Sequence, residues 1–463
     1  MQKEINDTIC ALATPAGGAI GVLRISGPQA IDIADKLFKS ASHKDSFSLS
    51  KVNRSYGNIY NCQGEILDDV LVNVFHSPHS YTGEDSIEIS CHGSSYILQQ
   101  VLHSLIDAGC RQAEPGEYTR RAYLNGKMDL SQSEAVADLV SASNKATHKL
   151  ALSQLKGHFS NELSLLREQL LKMTSLLELE LDFSDHEDLE FADRSELKAL
   201  AQKIDNRITS LANTFKTGNA LKKGIPVAII GKTNVGKSTL LNNLLHEDKA
   251  IVSNIHGTTR DVIEDTTDIH GITFRFIDTA GIRKTTDEIE KIGIERTYKK
   301  INEAQIVVWL IDEQPSETEI ADIQQRCEDK TLLIVQNKID LSPIRFSFSS
   351  TSSHKKSPIF LTLSAKNGLG ITELEEAIYK AANIPEINEN SVIVTSARHY
   401  EALSHAQQDL SHVLTSMDDG LSGDLIAEDL KMVLDDLSEI TGEGRINSQE
   451  VLNNIFKHFC IGK

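Results

Sequence analysis

The sequence predicts a multidomain α/β chain. An α+β N-terminal domain is followed by an α-helical domain, which is split by an inserted phosphate-loop domain with a doubly wound, mostly parallel sheet. Three observations carry this expectation. The loop Gly231-Lys-Thr-Asn-Val-Gly-Lys-Ser-Thr239 sits mid-chain. Short continuous apolar runs surround it, as strands buried on both faces require. Helical periodicity flanks it: Leu163, Leu166, Leu170, Met173 and Leu177 recur at three and four on one side. Leu403, Ala406, Leu410 and Val413, then Ile426, Leu430, Val433 and Leu437, do so on the other.

At 463 residues the chain exceeds one typical core. The expected domains are 1–122, 123–222, 223–385 and 386–463, with Gly218 to Gly224 and Ile384 to Asn390 as junctions. Ala19 to Ile25, Asp69 to Phe75 and Ser86 to Ser90 read as strands of the first domain. Apolar content of 40% and charged content of 24% are ordinary for a soluble protein. No apolar run approaches the ~18 residues of a membrane span, and the polar start Met1 to Thr8 lacks a signal peptide's apolar segment. Six cysteines at 10, 62, 91, 110, 327 and 460 form no Cys-x-x-Cys pair. That argues against structural zinc and a disulfide framework, and for a reducing cytoplasm.

The inserted domain is read in chain order. Ile225 to Ile230 is a buried strand, and Ser238 to Leu245 opens a helix. Between them, backbone N–H groups are placed to surround a β-phosphate, with Lys237 reaching β and γ oxygens and the Ser238 hydroxyl suited to Mg²⁺. Gly236 lets the backbone approach the phosphate. Thr258 and Thr259 lie where a switch threonine would complete the Mg²⁺ shell. Thr273 to Gly281 is a strand ending in Asp-x-x-Gly: Asp278 can hold Mg²⁺ through water, and the Gly281 N–H can sense the γ-phosphate. Ile306 to Ile311 and Thr331 to Val335 are two further strands. The second runs into Asn337-Lys338-Ile339-Asp340, where Asp340 can accept both N–H groups of a guanine edge. Ile359 to Leu363 leads to Ser364-Ala365-Lys366, suited to backing the base, and Ser347 to Pro358 reads as an exposed loop. Four elements in this order predict a GTP-binding domain.

Two residues depart from small signalling GTPases. Ile282 follows Gly281 where those proteins orient water with a glutamine. Asn234, inside the loop, has an amide oxygen that would suit a monovalent cation, or it caps the turn.

With these residues, the chain resembles the MnmE (TrmE) family of tRNA-modification GTPases. The resemblance is carried by Gly231 to Ser238, His256-Gly-Thr-Thr-Arg-Asp261, Asp278-Thr-Ala-Gly-Ile-Arg283, Ile292-Gly-Ile-Glu-Arg296 and the terminal Phe459-Cys-Ile-Gly-Lys463. Ala13-Thr-Pro15, Gly21 to Gly27 and Tyr81 to Asp85 belong to the same pattern, so it spans essentially the whole chain. It implies K⁺ held by Asn234, Ser253, Ile255 and Thr258, and Mg²⁺ held by Ser238 and Thr259. The GTP-binding set becomes Asn234, Val235, Gly236, Lys237, Ser238, Thr239, Ser253, Asn254, Ile255, His256, Gly257, Thr258, Thr259, Asp278, Thr279, Ala280, Gly281, Asn337, Lys338, Asp340, Ser364, Ala365 and Lys366. Glu290 matches the water-positioning glutamate, although its own surroundings (Asp287, Glu288, Glu295) read as a solvated helix face. Cys460 becomes a catalytic candidate with no activating base identifiable from sequence.

For the first domain the resemblance implies dimerisation and binding of a 5-formyl- or 5,10-methylene-tetrahydrofolate, at Arg24, Glu88, Lys127 and Lys463. Cys91-His-Gly-Ser-Ser95 departs from the family's His-Gly-Gly. It further implies a homodimer whose G domains pair in K⁺, and an FAD-dependent partner, MnmG. With NADH and ammonium or glycine, the complex would install a (carboxymethyl)aminomethyl group at C5 of wobble uridine 34 in certain tRNAs. A net charge of −19 fits tRNA held largely by the partner. Much of that excess lies in an acidic run from Glu178 to Asp193, read as solvated, while Arg111, Arg120, Arg121 and Lys127 make a modest basic patch. Two rivals are weaker. An Era-like ribosome-assembly GTPase would append a KH domain with a Gly-x-x-Gly loop, and a membrane-remodelling GTPase would need a basic or apolar tip.

Overall fold

A computed structural model describes residues 7–41, 47–182, 194–245, 265–277, 298–341, 358–388, 390–442, 455–457, 459 and 462. The chain divides into two compact units, one of residues 1–141, 151–210 and 401–463, the other of 142–150 and 211–400.

The first unit begins with a seven-stranded sheet in the order β3-β4-β5-β6-β2-β1-β7. Its strands are β1 (Ile9–Leu12), β2 (Ile20–Ser26), β3 (Phe38–Ser40), β4 (Arg54–Tyr60), β5 (Ile66–Phe75), β6 (Ser86–His92) and β7 (Arg111–Gln112). Neighbours are antiparallel except β1 with β7. Alternation explains its two faces. Leu23, Ile25, Val70, Val72, Val74, Ile87 and Ile89 point into a core with α1 (Ala30–Leu37) and α2 (Ser95–Asp107). The residues between them, Arg24 and Glu88 included, occupy the other face.

Helices α3 (Glu117–Leu124), α4 (Leu130–Ser141), α5 (Lys145–Leu155), α6 (His158–Asp182) and α7 (Arg194–Asn213) follow. Late in the chain come α12 (Ala397–Asp418) and α13 (Gly423–Thr441), the latter packed along α6. The periodic stripes read from sequence are buried: Leu163, Leu166, Leu170, Met173 and Leu177 are at most 4% exposed, and Leu403, Leu410, Leu430 and Val433 are 0% exposed. Among the described residues no helix is long and apolar enough to cross a membrane.

The second unit holds a six-stranded sheet in the order β13-β12-β11-β8-β10-β9. These are β8 (Ile225–Ile230), β9 (Asp265–Ile269), β10 (Ile272–Phe276), β11 (Ile306–Ile311), β12 (Thr331–Gln336) and β13 (Ile359–Thr362), all parallel except the β9–β10 hairpin. The continuous apolar runs are explained by burial on both faces. Val227, Ile229, Val308, Leu310, Leu333 and Val335 pack towards α9 (Lys237–Leu245) and α11 (Ile371–Ala381). Ala228, Ile230, Val307, Trp309, Leu332 and Ile334 pack the other way, beside Ile320 and Ile323 of α10 (Glu317–Arg326). The stretch Gly218 to Gly224, expected as a junction, forms the end of helix α8 (Phe215–Lys223) with its cap. Gly218 lies so close to Val394 that a Cβ would sit 2.1 Å from the Val394 carbonyl oxygen.

Candidate functional site

The phosphate loop leaves the C-terminal end of β8, where parallel α/β sheets bind ligands. Its shape depends on backbone conformations that side chains would oppose. Gly231 has φ +148°, and a Cβ there would lie 2.3 Å from the Leu310 carbonyl oxygen. Gly236 has φ +104°, and a Cβ there would lie 2.3 Å from Asn337 Nδ2. Exposed Asn234 turns the loop at φ +60°, and buried Val235 anchors it in the core. Lys237 and Ser238 then open α9, with Thr239 exposed in its first turn. Lys237 Nζ folds back onto the carbonyl oxygens of Gly231 (2.8 Å) and Lys232 (2.5 Å). Burial, then the neighbouring Lys300, lowers the Lys237 pKa against the opposing pull of Asp312. A half-buried ammonium at a helix N-terminus is arranged for an anion.

The base loop is tied to the phosphate loop through one side chain. Asn337 Nδ2 donates to the Val235 carbonyl at 2.7 Å, and Asn337 Oδ1 accepts the Ala365 N–H at 2.9 Å. Asp340 is oriented by Ser364, whose hydroxyl donates to Oδ1 at 2.6 Å. Lys338 takes φ +61°, and its ammonium meets Asp312 Oδ2 at 2.6 Å. Ser364 and Ala365 are buried, and Lys366 is exposed on the same turn. The residues predicted for phosphate and base thus converge from β8, β12 and β13. Asp312 was missed in the sequence, although it directly follows the apolar run Ile306 to Ile311, at the strand end where site residues belong.

Several expected site residues lie outside the described residues: Ser253, Asn254, Ile255, His256, Gly257, Thr258, Thr259, Asp278, Thr279, Ala280, Gly281, Glu290, Cys460 and Lys463. So do most of the acidic run after Asp182 and the Ser347 loop up to residue 357.

In the first unit, Arg24 and Glu88 are direct neighbours across β2 and β6. Arg24 donates from Nε (3.1 Å) and Nη2 (2.8 Å) to the same Glu88 oxygen, Oε1. Its guanidinium carbon lies 5.6 Å from the ring centres of both Tyr81 and Tyr118. Tyr118 is buried, and its hydroxyl donates to the Arg24 carbonyl at 2.7 Å. Near the C-terminus, the Gly462 carbonyl lies 3.5 Å from Arg24 Nη1. Lys127 is bonded elsewhere, to the Pro78 carbonyl at 2.9 Å, with its stem against Gly83. The tyrosines were not anticipated, because nothing local in the sequence pairs position 118 with position 24.

The basic patch expected from Arg111, Arg120 and Arg121 is corrected by the structure. Arg121 is 3% exposed and meets Asp7 (2.5 Å), Glu84 (3.1 Å) and Glu117 (3.1 Å). Arg111 pairs with Asp7 and Glu117 at 2.6 Å each, and Arg120 faces Glu114 at 3.4 Å. Burial raises the Glu117 pKa, but Arg111 and Arg121 outweigh it and leave the carboxyl below its usual value. All three are paired with carboxylates of the fold, and for Arg121 burial makes those matched acceptors necessary.

Comparison with known proteins supplies the family. Residues 130–460 match the MnmE helical domain, and residues 8–127 match the GTP-binding protein TrmE N-terminus. The chain is similar to a tRNA modification GTPase MnmE of Phocaeicola vulgatus, 51% identical over 505 aligned positions and 100% of both chains. It is likewise 54% identical to the Bacteroides fragilis protein of that name, over 99% of each chain. Among solved structures, the G domain of the T. maritima FeoB iron transporter is 20% identical, covering 34% of this chain and 98% of its own, with a TM-score of 0.25. With two domains matched and half of all positions identical from end to end, the chain belongs to the MnmE family of tRNA modification GTPases.

Proposed function

We propose that this protein hydrolyses GTP to GDP and phosphate in a K⁺-dependent manner and couples that cycle to modification of tRNA. The observation that carries the proposal is the joined pair of loops: a glycine-built phosphate cradle, stapled through Asn337 to a base loop whose Asp340 carboxylate is already oriented. The absence of a side chain at Gly236 is what lets the staple close, because a Cβ there would lie 2.3 Å from Asn337 Nδ2. Ser238 would hold Mg²⁺ together with Thr259. Asn234, exposed at the loop apex, would hold K⁺ together with Ser253, Ile255 and Thr258. When bound, the two cations supply charge neutralisation at the phosphates. Lys237 then turns from carbonyl oxygens to phosphate oxygens, and Glu290 positions the attacking water.

The Arg24–Glu88 pair supports the second half of the proposal. A guanidinium beside a carboxylate, and 5.6 Å from two tyrosine ring centres, offers donors, an acceptor and aromatic rings, as a tetrahydrofolate one-carbon derivative requires. Lys127 and Lys463 would serve the tail or the carried carbon, and Cys460 the tRNA chemistry. We place the protein in the cytoplasm as a homodimer, assembled into a heterotetramer with FAD-dependent MnmG. That complex would install the (carboxymethyl)aminomethyl group at C5 of uridine 34, with tRNA held largely by the partner. The test is the steady-state GTPase rate in KCl and in NaCl at equal ionic strength. A rate that collapses in Na⁺ supports the cation site, and equal rates sink it.

A further inference from the structure

Every polar residue of the base loop has a dedicated holder. Asn337 is held by Val235 and Ala365, and Asp340 by Ser364. For Lys338 the holder is Asp312, the first residue past β11. This strand lies between β8, which feeds the phosphate loop, and β12, which feeds the base loop. Its end is clasped on both sides: the Leu310 carbonyl fills the space beside Gly231, and the Asn337 N–H donates to the Ile311 carbonyl at 2.8 Å. Asp312 therefore emerges between the two nucleotide loops.

An ion pair as exposed as this one, 36% for Lys338 and 25% for Asp312, would ordinarily contribute little. Here the lysine backbone supplies a further reason for the contact. Lys338 is a non-glycine residue at φ +61°, a conformation that persists only when its surroundings enforce it.

We propose that Asp312 is a positioning residue for guanine-nucleotide binding: it holds Lys338, and with it Asn337 and Asp340 on either side, in binding register before the nucleotide arrives. The assignment rests on the GTP-site reading above and adds a preorganising contact to it.

The experiment uses the full chain with Asp312→Asn, Lys338→Met and the double variant. Equilibrium titration with a fluorescent GDP is read beside kcat at saturating GTP. Asp312→Asn is expected to weaken GDP about fivefold, the upper end for a part-exposed ion pair, with kcat unchanged. In the Lys338→Met background the same substitution should have no further effect, because the proposed route runs through Lys338. Undiminished GDP affinity in Asp312→Asn overturns the proposal. So do effects that add in full, or a kcat that falls with affinity, which would mean that Asp312 acts through Lys237. Failure of Asp340→Asn to weaken GDP would instead remove the underlying site reading, so the two failures are distinguishable. Asn is nearly isosteric with Asp, and a thermal melt of each variant separates loss of fold from loss of register.

Discussion

The two sites of this molecule are built by opposite means. The nucleotide loops are backbone constructions: glycines set the path, and Lys237 bonds a carbonyl only six residues away. The Arg24 site is a construction of side chains brought from afar. Arg24 and Glu88 are 64 residues apart, and Arg24 and Gly462 are 438 apart. A backbone cradle needs few residue types at fixed spacing, so it leaves a readable motif. A side-chain constellation needs only that a fold deliver its members, and it leaves no local mark.

The sharpest way to break this contrast is at the one side chain on which the nucleotide site relies for its base. Asp340→Asn should remove two charge-assisted hydrogen bonds to guanine. At about 1.5–3 kcal/mol each, that is roughly a 10²- to 10⁴-fold loss of GDP affinity. Titration with GDP measures it. Affinity within a few-fold of wild type would mean that the backbone cradle carries base selection as well, and the division between the two sites would dissolve.

Legibility follows the same division. Strands β2, β5, β6, β8 and β10 to β13 and the buried stripes of α6, α12 and α13 were readable from apolar runs and helical periodicity, whereas β1, β3, β4, β7 and β9 were not read. Gly231, Gly236, Lys237, Asn337 and Asp340 were readable because their spacing is their geometry. Arg24 and Glu88 came only through family resemblance, since an alternating strand displays charges on its open face whether or not they bind anything. Arg111 and Arg121 misled for a related reason. A sequence shows that an arginine is basic, but not that Asp7, Glu84 and Glu117 will converge on it. The helical character of Gly218 to Gly224 was hidden by two glycines, one of which is there for contact with Val394 rather than for a turn.

The convergence on Arg121 gives the next prediction. Arg121→Met leaves Glu117, 2% exposed, and Glu84, 11% exposed, short of a cation. Removing one partner of a buried ionic cluster costs about 3–5 kcal/mol. The loss should be confined to the first unit, and the chain carries its own reporter for that: its single tryptophan, Trp309, is buried in the second. Urea unfolding followed by far-ultraviolet dichroism should shift to lower denaturant, while the Trp309 fluorescence transition stays in place. Equal shifts in both signals would show that the two units unfold together.

The smallest effect concerns protons. Burial and Lys300 depress Lys237 below its ordinary 10.5 in the free protein, and a phosphate at the loop would raise it again. In the alkaline window between the depressed value and 10.5, the free lysine is part neutral and the bound one charged. Nucleotide binding must then take up a fraction of a proton, and affinity must fall as pH rises through that window. Below the window both forms are charged and uptake vanishes. The same depression costs stability while the amine is charged, and that cost disappears once pH passes the ordinary value. Calorimetric titration of GDP in two alkaline buffers of different ionisation enthalpy reads the uptake directly. Lys237→Met should abolish it, leaving only the guanine ring's own titration, which both proteins share. Equal uptake in the two proteins would assign the proton to some other group and reduce Lys237 to a structural clasp on the loop carbonyls, one more backbone tie in a site otherwise made of them.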